Sequence, residues 1–202
     1  MAFVPRDERR ARLAEATWRV ITERGISAVS VRTVAGEAGM AVGSLRHLFS
    51  TQRELLEFSA ELMVERATRR VEAITPSDDV VAYAMTVIRE LIPLAPDSRR
   101  EFEINIALIA ETPANPGLAE IRNRTHELLV DLFGRIVVML HGGQAPTDDD
   151  QPDIAHQRES QRLLALVDGL GLHLLHQSPD ADASWATDII RTELVRIHHA
   201  SR

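Results

Sequence analysis

The sequence predicts an all-α fold of about nine helices. Apolar residues recur every three to four positions along most of the 202 residues, which is the period of a helix with one buried face. No segment alternates apolar and polar residues as a half-buried strand does. Clusters of Gly, Pro and Asp interrupt the helical pattern. These features predict a three-helix N-terminal domain, residues 1–55, followed by a C-terminal helical bundle, residues 56–202.

The first helix is predicted from about Asp7 to Arg24, after a loose arm of residues 1–8. Its inner stripe has the i, i+3, i+4, i+7 spacing of an amphipathic helix, and Gly25 ends it. Trp18 lies beside this stripe and is expected to pack there. Four arginines near the start of the helix could contact DNA phosphate or lie on a solvated face: Arg6, Arg9, Arg10 and Arg12.

Residues 26–55 predict two short helices joined by a tight turn, and then the start of a fourth helix. Ser30 can cap the second helix with its side-chain oxygen, and Gly39 can take the left-handed backbone that ends it. This is a helix-turn-helix pattern, whose second helix would lie in the DNA major groove. Nine residues are predicted to contact DNA: Arg32, Thr33, Val42, Gly43, Ser44, Arg46, His47, Thr51 and Gln52.

The pattern alone is also compatible with a corner of an ordinary helical bundle. The charge distribution supports a DNA-binding role. Residues 1–55 hold nine Arg and six acidic residues, a net charge of +3, whereas residues 56–202 carry a net charge of −10. A basic N-terminal domain on an acidic body fits one surface that faces phosphate.

The span from about Arg9 to Leu56 resembles the N-terminal domain of TetR-type transcriptional regulators, through the runs ITERGISAVSVRTVAGEAGM and SLRHLFSTQRELL. Four positions depart from the usual pattern. The family typically has an aromatic residue at the position of Arg46 and often at that of Leu48, and it often has Ser or Thr at Ala41 and Lys at Gln52. The resemblance implies a DNA-binding regulator, and more specifically a repressor. A helical dimer that has lost DNA binding and acts through a protein partner is the alternative.

Thr51 and Glu54 form a capping-box signature for the fourth helix, which is predicted to run to about Ile74. Breaks rich in Gly, Pro and Asp separate the remaining helices, and the break at 142–153 is expected to be the most mobile segment. The predicted helices run from about Asp79 to Leu94, Arg99 to Glu111, Leu118 to Leu140, Ile154 to His176 and Ala183 to His199.

The last two long helices are predicted to form a homodimer contact. The eighth helix is apolar around most of its circumference, which indicates burial on several sides. Two such helices from each of two chains would form a four-helix interface and place two recognition helices about 34 Å apart on a palindromic operator. TetR-type regulators are similar in this respect, and the run LLALVDGLGLHLL also resembles the betaine-responsive repressor subgroup. The predicted contact residues are Leu163, Val167, Gly169, Leu170, Leu174, Trp185 and Ile189. The alternative is that these helices pack only within one chain.

The same resemblance implies a small-molecule effector pocket in the body, with a ligand that shifts the separation of the two DNA-binding domains. The residues that could line it are Met63, Tyr83, Phe102, Asn105, His126 and His173. Each of them could equally be an ordinary packing or surface residue. The sequence does not identify the effector.

Other functional classes lack their motifs. The absence of cysteine excludes disulfides, thiolate metal sites and cysteine nucleophiles. His173 and His176 with Asp168, or Asp153 with His156, could share a helix face, but His-Glu-x-x-His and Gly-x-Ser-x-Gly are absent. We therefore expect no catalytic site, cofactor or metal. The chain start lacks the apolar core of a signal peptide and no apolar run reaches the roughly 18 residues of a membrane span, which predicts a cytoplasmic protein without a membrane partner.

Overall fold

The computed structural model describes residues 6–142 and 154–200. All regular secondary structure in these ranges is helical, which confirms the predicted all-α class. A short 3-10 helix, Ile26–Ala28, accompanies the α-helices. The α-helices are α1 (Arg6–Arg24), α2 (Val31–Glu37), α3 (Val42–Arg46), α4 (Gln52–Glu72), α5 (Val80–Leu91), α6 (Pro96–Glu111), α7 (Pro116–Leu140), α8 (Ile154–Leu175) and α9 (Ser184–Ala200).

The helix ends follow local sequence signals. Asp79 caps α5, because its carboxylate accepts a hydrogen bond from the Ala82 backbone N–H at 2.9 Å. α5 ends earlier than predicted, at Leu91, because Ile92 precedes a proline and takes an extended backbone with φ −110° and ψ 156°. α6 begins earlier than predicted, at Pro96, since proline is favoured in the first turn of a helix.

The first helix begins within the segment predicted as an arm. α1 begins at Arg6, so residues 6–8 belong to the helix. Residues 1–5 of the predicted arm, and residues 143–153 of the segment predicted to be most mobile, lie outside the described residues. Among the helices that the structure describes, none combines the length and the apolarity needed to cross a bilayer.

The chain packs as two compact units. Unit 1 comprises the described residues of Met1–Arg66 and Glu103–Asn123, and unit 2 those of Ala67–Phe102 and Arg124–Arg202. The division therefore falls within α4, α6 and α7. These packing units differ from the predicted functional division into residues 1–55 and 56–202, because unit 1 also includes the parts of α4, α6 and α7 that pack with it.

Trp18 is the largest side chain in the core of unit 1. It is 1% exposed, which confirms its predicted packing role. Its indole N–H donates to the Ser59 carbonyl oxygen at 3.3 Å, and the Arg66 guanidinium lies 4.8 Å from its ring centroid. These contacts attach α1 to α4 and satisfy the one polar group of the buried indole.

The core of unit 2 is built from α5, α7, α8 and α9. Its most buried members include Phe133, Ile136, Leu163 and Ile190, each no more than 1% exposed. The α8 glycine Gly171 is required by close packing, since an added Cβ would lie 2.5 Å from the Cζ of Phe102. At Gly171 the absence of a side chain therefore gives room to the Phe102 ring.

Arg99 holds the end of α8. Its guanidinium donates to the carbonyl oxygens of Leu174, Leu175 and Gln177 at 3.1, 2.8 and 2.8 Å. Leu174 and Leu175 lie in the last turn of the helix, whose carbonyls lack the intrahelical partners of the helix interior, and Gln177 lies just beyond it. One side chain from α6 thus caps the C-terminus of α8.

The predicted dimer contact needs a correction. Leu163, Val167, Leu170 and Leu174 are 0–6% exposed and lie in the core of unit 2, so their side chains have no surface left for a partner. The large apolar side chains that α8 and α9 expose are Ile154 (67%), Leu172 (44%), Ile189 (41%) and Val195 (37%).

Candidate nucleic-acid interface

The turn between α2 and α3 has the geometry that its sequence predicts. Ser30 caps α2, because its hydroxyl oxygen accepts a hydrogen bond from the Thr33 backbone N–H at 3.0 Å. Gly39 has φ +64°, the left-handed backbone predicted for this position. The backbone N–H of Met40 donates to the Ala35 carbonyl oxygen at 2.8 Å, and that of Gly39 donates to Gly36. This pair of bonds is a Schellman motif, which turns the chain sharply into α3.

Side chains of α1 fix the position of α2. Glu37 accepts hydrogen bonds from Arg19 at 2.8 Å and from Arg24 at 3.2 Å, and the bond from Arg19 lowers the pKa of the Glu37 carboxyl. Arg12 donates to the Ala38 carbonyl oxygen at 3.2 Å. Its guanidinium therefore supports the end of α2, a role that spacing along the sequence gave no signal for.

Helix α3 buries one apolar residue and exposes its polar face. Leu45 is 0% exposed, and the Phe49 ring that follows packs 4.9 Å from the ring of Phe58. Between Val42 and Phe49, the exposed residues are Gly43, Ser44, Arg46, His47 and Leu48. The N-cap of α3 is Ala41, which makes no side-chain cap. Anchoring on the inner face fixes which residues α3 presents to solvent.

The turn from α3 into α4 is held by Glu54. Its carboxylate accepts hydrogen bonds from the Ser50 backbone N–H at 2.7 Å and from the Ser50 hydroxyl at 2.8 Å. These bonds lower the pKa of the Glu54 carboxyl. Thr51 accepts from the Glu54 backbone N–H at 3.2 Å, as a capping box requires. The closest backbone donor to the Glu54 carboxylate is thus Ser50, one residue before the Thr51 N–H that the predicted capping box would use.

The nine residues predicted to contact DNA fall on α2, on α3 and at the start of α4. Seven of them are exposed: Arg32, Gly43, Ser44, Arg46, His47, Thr51 and Gln52. Thr33 and Val42 are half-buried. The Thr33 hydroxyl lies 2.7 Å from that of Ser30, and Val42 packs against the core. The Gln52 amide donates to the Ile26 carbonyl oxygen at 3.4 Å, which ties α4 to the 3-10 helix.

The segment from the end of α2 to the start of α4 contains no acidic residue. Residues 38–53 contain Arg46 and Arg53 and no Asp or Glu. Arg53 donates to the Ala114 carbonyl oxygen at 3.5 Å while remaining exposed. Arginine and hydroxyl side chains can donate hydrogen bonds to phosphate oxygens and to base edges, and small side chains let the backbone approach a groove.

The residues predicted to bind an effector are divided between the two units. Met63 and Asn105 belong to unit 1, where Met63 is buried at 7% exposure and Asn105 is half-buried. The other four belong to unit 2: Tyr83, Phe102, His126 and His173. In unit 2, burial raises the pKa of the Asp168 carboxyl, and the nearby His126 opposes that shift.

Within residues 6–142 and 154–200, no group of three or more potential ligands could hold a metal ion. Asp153 lies outside the described residues.

A groove of about 650 Å³ runs between α8 and α9 on the exposed side. Its lining residues are Arg162, Ala165, Leu166, Asp188, Ile189, Thr192 and Glu193. Of the residues predicted for the dimer contact, Ile189 lies in this groove. Gly169 follows Ala165 by one turn on the same helix, and an added Cβ there would meet nothing within 4 Å.

Two family models match the chain. Residues 13–57 match "Bacterial regulatory proteins, tetR family" and residues 81–199 match "BetI-type transcriptional repressor, C-terminal". The HTH-type transcriptional regulator PksA of Bacillus subtilis is 34% identical over 173 residues, which cover 85% of this chain and 81% of that protein. The HTH-type nicotine-responsive transcriptional repressor HdnoR of Paenarthrobacter nicotinovorans is 23% identical, with 86% and 87% covered. A transcriptional regulator from Rhodococcus has a similar structure, with a TM-score of 0.80 at 24% identity over 95% of this chain and 96% of that one.

Proposed function

Because the chain belongs to the TetR family of DNA-binding transcriptional regulators, we propose that it is a homodimeric repressor that a small-molecule effector releases from a palindromic operator. The observation that carries this proposal is that the exposed residues within 38–53 include no acidic side chain and are held on a helix-turn-helix whose first helix, α2, is capped by Ser30. By role, we assign DNA recognition to residues 1–55 and dimerisation and effector binding to residues 56–202. A protein that acts on chromosomal DNA is placed in the cytoplasm.

Recognition is assigned to α3 and phosphate contact to its flanks. Arg46 and His47 are exposed, and each can donate to a base edge or to phosphate. Thr51 and Gln52 stand at the start of α4, where backbone N–H groups have no partner within the helix and favour phosphate. Gly43 leaves α3 without a side chain at one point, so the backbone can approach the duplex closely.

A dimer through the outer face of α8 and α9 supplies the two-fold symmetry. The groove between these helices exposes Ile189 beside the charged Arg162 and Glu193. Gly169 costs about 1 kcal/mol relative to alanine within a helix, and no contact with residues 6–142 or 154–200 accounts for it. A partner helix that passes closely over Gly169 would account for it. An interface of this kind is isologous, so the same face of both chains is covered.

The effector is proposed to bind in the body of the protein. HdnoR is named as nicotine-responsive and as a repressor, which supports both ligand response and repression in a relative of this length. In unit 2, Tyr83, Phe102, His126 and His173 are the residues we propose for ligand contact. To release DNA, the effector must bind one of two dimer shapes more tightly than the other.

Selection of bound sequences from random double-stranded DNA tests this proposal. We expect an enriched palindrome whose half-sites are about one helical turn apart, with binding that weakens steeply as salt rises. Arg46→Ala should weaken binding by about 1–3 kcal/mol per half-site. Arg89→Ala removes an exposed arginine of α5 and should leave affinity unchanged. Enrichment of no sequence would favour the alternative of a protein-binding dimer.

A further inference from the structure

Leu48 is an exposed leucine on the recognition surface. Its relative exposure is 48%, and between residues 6 and 66 no other large apolar side chain is exposed. Isolated apolar residues are common on protein surfaces and need no explanation by themselves. The position of this one is informative, because Arg46, His47 and Ser50 around it are exposed polar residues.

The backbone at Leu48 is firmly held. Its N–H donates to the Leu45 carbonyl oxygen at 3.0 Å, and the N–H of Phe49 donates to the same oxygen at 2.8 Å. Leu45 is fully buried and Phe49 packs on Phe58. Buried anchors on both sides of Leu48 therefore fix where its side chain emerges.

The apolar feature that DNA offers to such a side chain is specific. In the major groove, base edges present hydrogen-bond donors and acceptors, and the thymine C5-methyl is the apolar group. A side chain without donors or acceptors gains from contact with that methyl and gains nothing from the polar edges. An apolar side chain that reaches the groove therefore favours thymine over cytosine, which lacks the methyl group.

We propose that Leu48 is a specificity-determining residue that contacts a thymine C5-methyl in each operator half-site. This inference rests on the proposed DNA-binding function. Removing one buried methyl from the contact corresponds to about a fourfold loss of affinity per half-site.

The test replaces each thymine of the selected operator with deoxyuridine, which deletes only the methyl group. Affinities are measured by fluorescence anisotropy at fixed salt for the full chain and for Leu48→Ala. We expect at least one thymine per half-site at which deoxyuridine weakens the wild-type complex about fourfold and leaves the Leu48→Ala complex unchanged. Leu128→Ala is the matched control, because Leu128 on α7 is also 48% exposed; it should keep the whole deoxyuridine effect.

Two results would overturn the inference. One is a Leu48→Ala protein that retains the full deoxyuridine effect at every position. The other is a uniform loss of affinity for all sequences in Leu48→Ala, which indicates packing on deoxyribose. Failure of the proposed function has a different signature, since the wild-type chain would then select no operator. Circular dichroism of Leu48→Ala verifies that the exposed position tolerates alanine.

Discussion

Substitutions at the N-cap positions of α2 and α3 should change the stability of the protein in opposite directions. Ser30→Ala removes the hydroxyl that accepts from the Thr33 N–H at 3.0 Å, and loss of an N-cap costs about 1 kcal/mol. Ala41→Ser introduces a cap at α3, where none exists. The backbone of Ala41 already has φ −66° and ψ 131°, the extended conformation of an N-cap, so serine needs no rearrangement there.

The free energy of one N-cap sets the expected change in Tm for both substitutions. About 1 kcal/mol corresponds to a shift of roughly 2–4 °C in Tm for a chain of this length. We therefore expect Ser30→Ala to lower Tm by roughly 2–4 °C and Ala41→Ser to raise it by a similar amount. Thermal unfolding followed by circular dichroism at one fixed chain concentration measures both, because Tm of an oligomer depends on concentration.

Ser178→Ala is the matched control for serine removal. Ser178 is exposed, and its backbone carbonyl oxygen accepts a hydrogen bond from the Ala181 N–H at 2.9 Å. Alanine keeps that carbonyl, so Tm should not change. If Ser30→Ala unfolds at the wild-type temperature, Ser30 does not stabilise α2. If Ala41→Ser gives no increase, the first turn of α3 is already satisfied by other groups, and the description of α3 as uncapped is wrong.

Three further predictions test the body and the α3–α4 turn. Gly169→Glu should yield monomers by sedimentation velocity, and Gly169→Ala, which adds only a methyl group, should weaken the dimer to a smaller extent; a stable Gly169→Glu dimer would refute the proposed interface. Arg99→Ala should lower the free energy of unfolding by about 1–3 kcal/mol, because the carbonyl oxygens of Leu174, Leu175 and Gln177 lose their hydrogen bonds from the guanidinium. Arg99→Lys should fall between Arg99→Ala and wild type in urea unfolding. Hydrogen bonds from Ser50 lower the pKa of Glu54 in the folded chain, so Glu54 stabilises the fold above its unfolded pKa of about 4.3 and ceases to do so as pH falls through the lowered folded value. The Tm difference between wild type and Glu54→Gln should therefore shrink on acidification, and a constant difference from pH 6 to pH 3 would contradict this.

Local signals made the helix-turn-helix predictable from sequence. Ser30, Gly39 and Asp79 act within a few residues of themselves, so their roles as caps and turn residues could be inferred without knowing the fold. Contacts between residues that are distant in the sequence could not be inferred in this way. Arg12 supports Ala38, and no spacing rule connects two residues on different helices.

The dimer contact shows the limit of a pattern that is apolar all around a helix. Such a helix must be covered on several sides, but its sequence does not say which side faces the chain's own core. The pattern predicts that Leu163 and Leu170 contact a partner, whereas both lie inside unit 2. Burial in the folded chain resolves this, because only the uncovered side, with Ile189 and Leu172, can meet another molecule.

The central claim is that two copies of the helix-turn-helix bind one operator together. Sedimentation velocity of a fluorescently labelled operator duplex, titrated with the full chain at several salt concentrations, measures stoichiometry and affinity at once. We expect two chains per duplex and a log–log salt slope of about −0.9 for each phosphate contacted. One chain per duplex, or affinity that does not change with salt, would contradict the account.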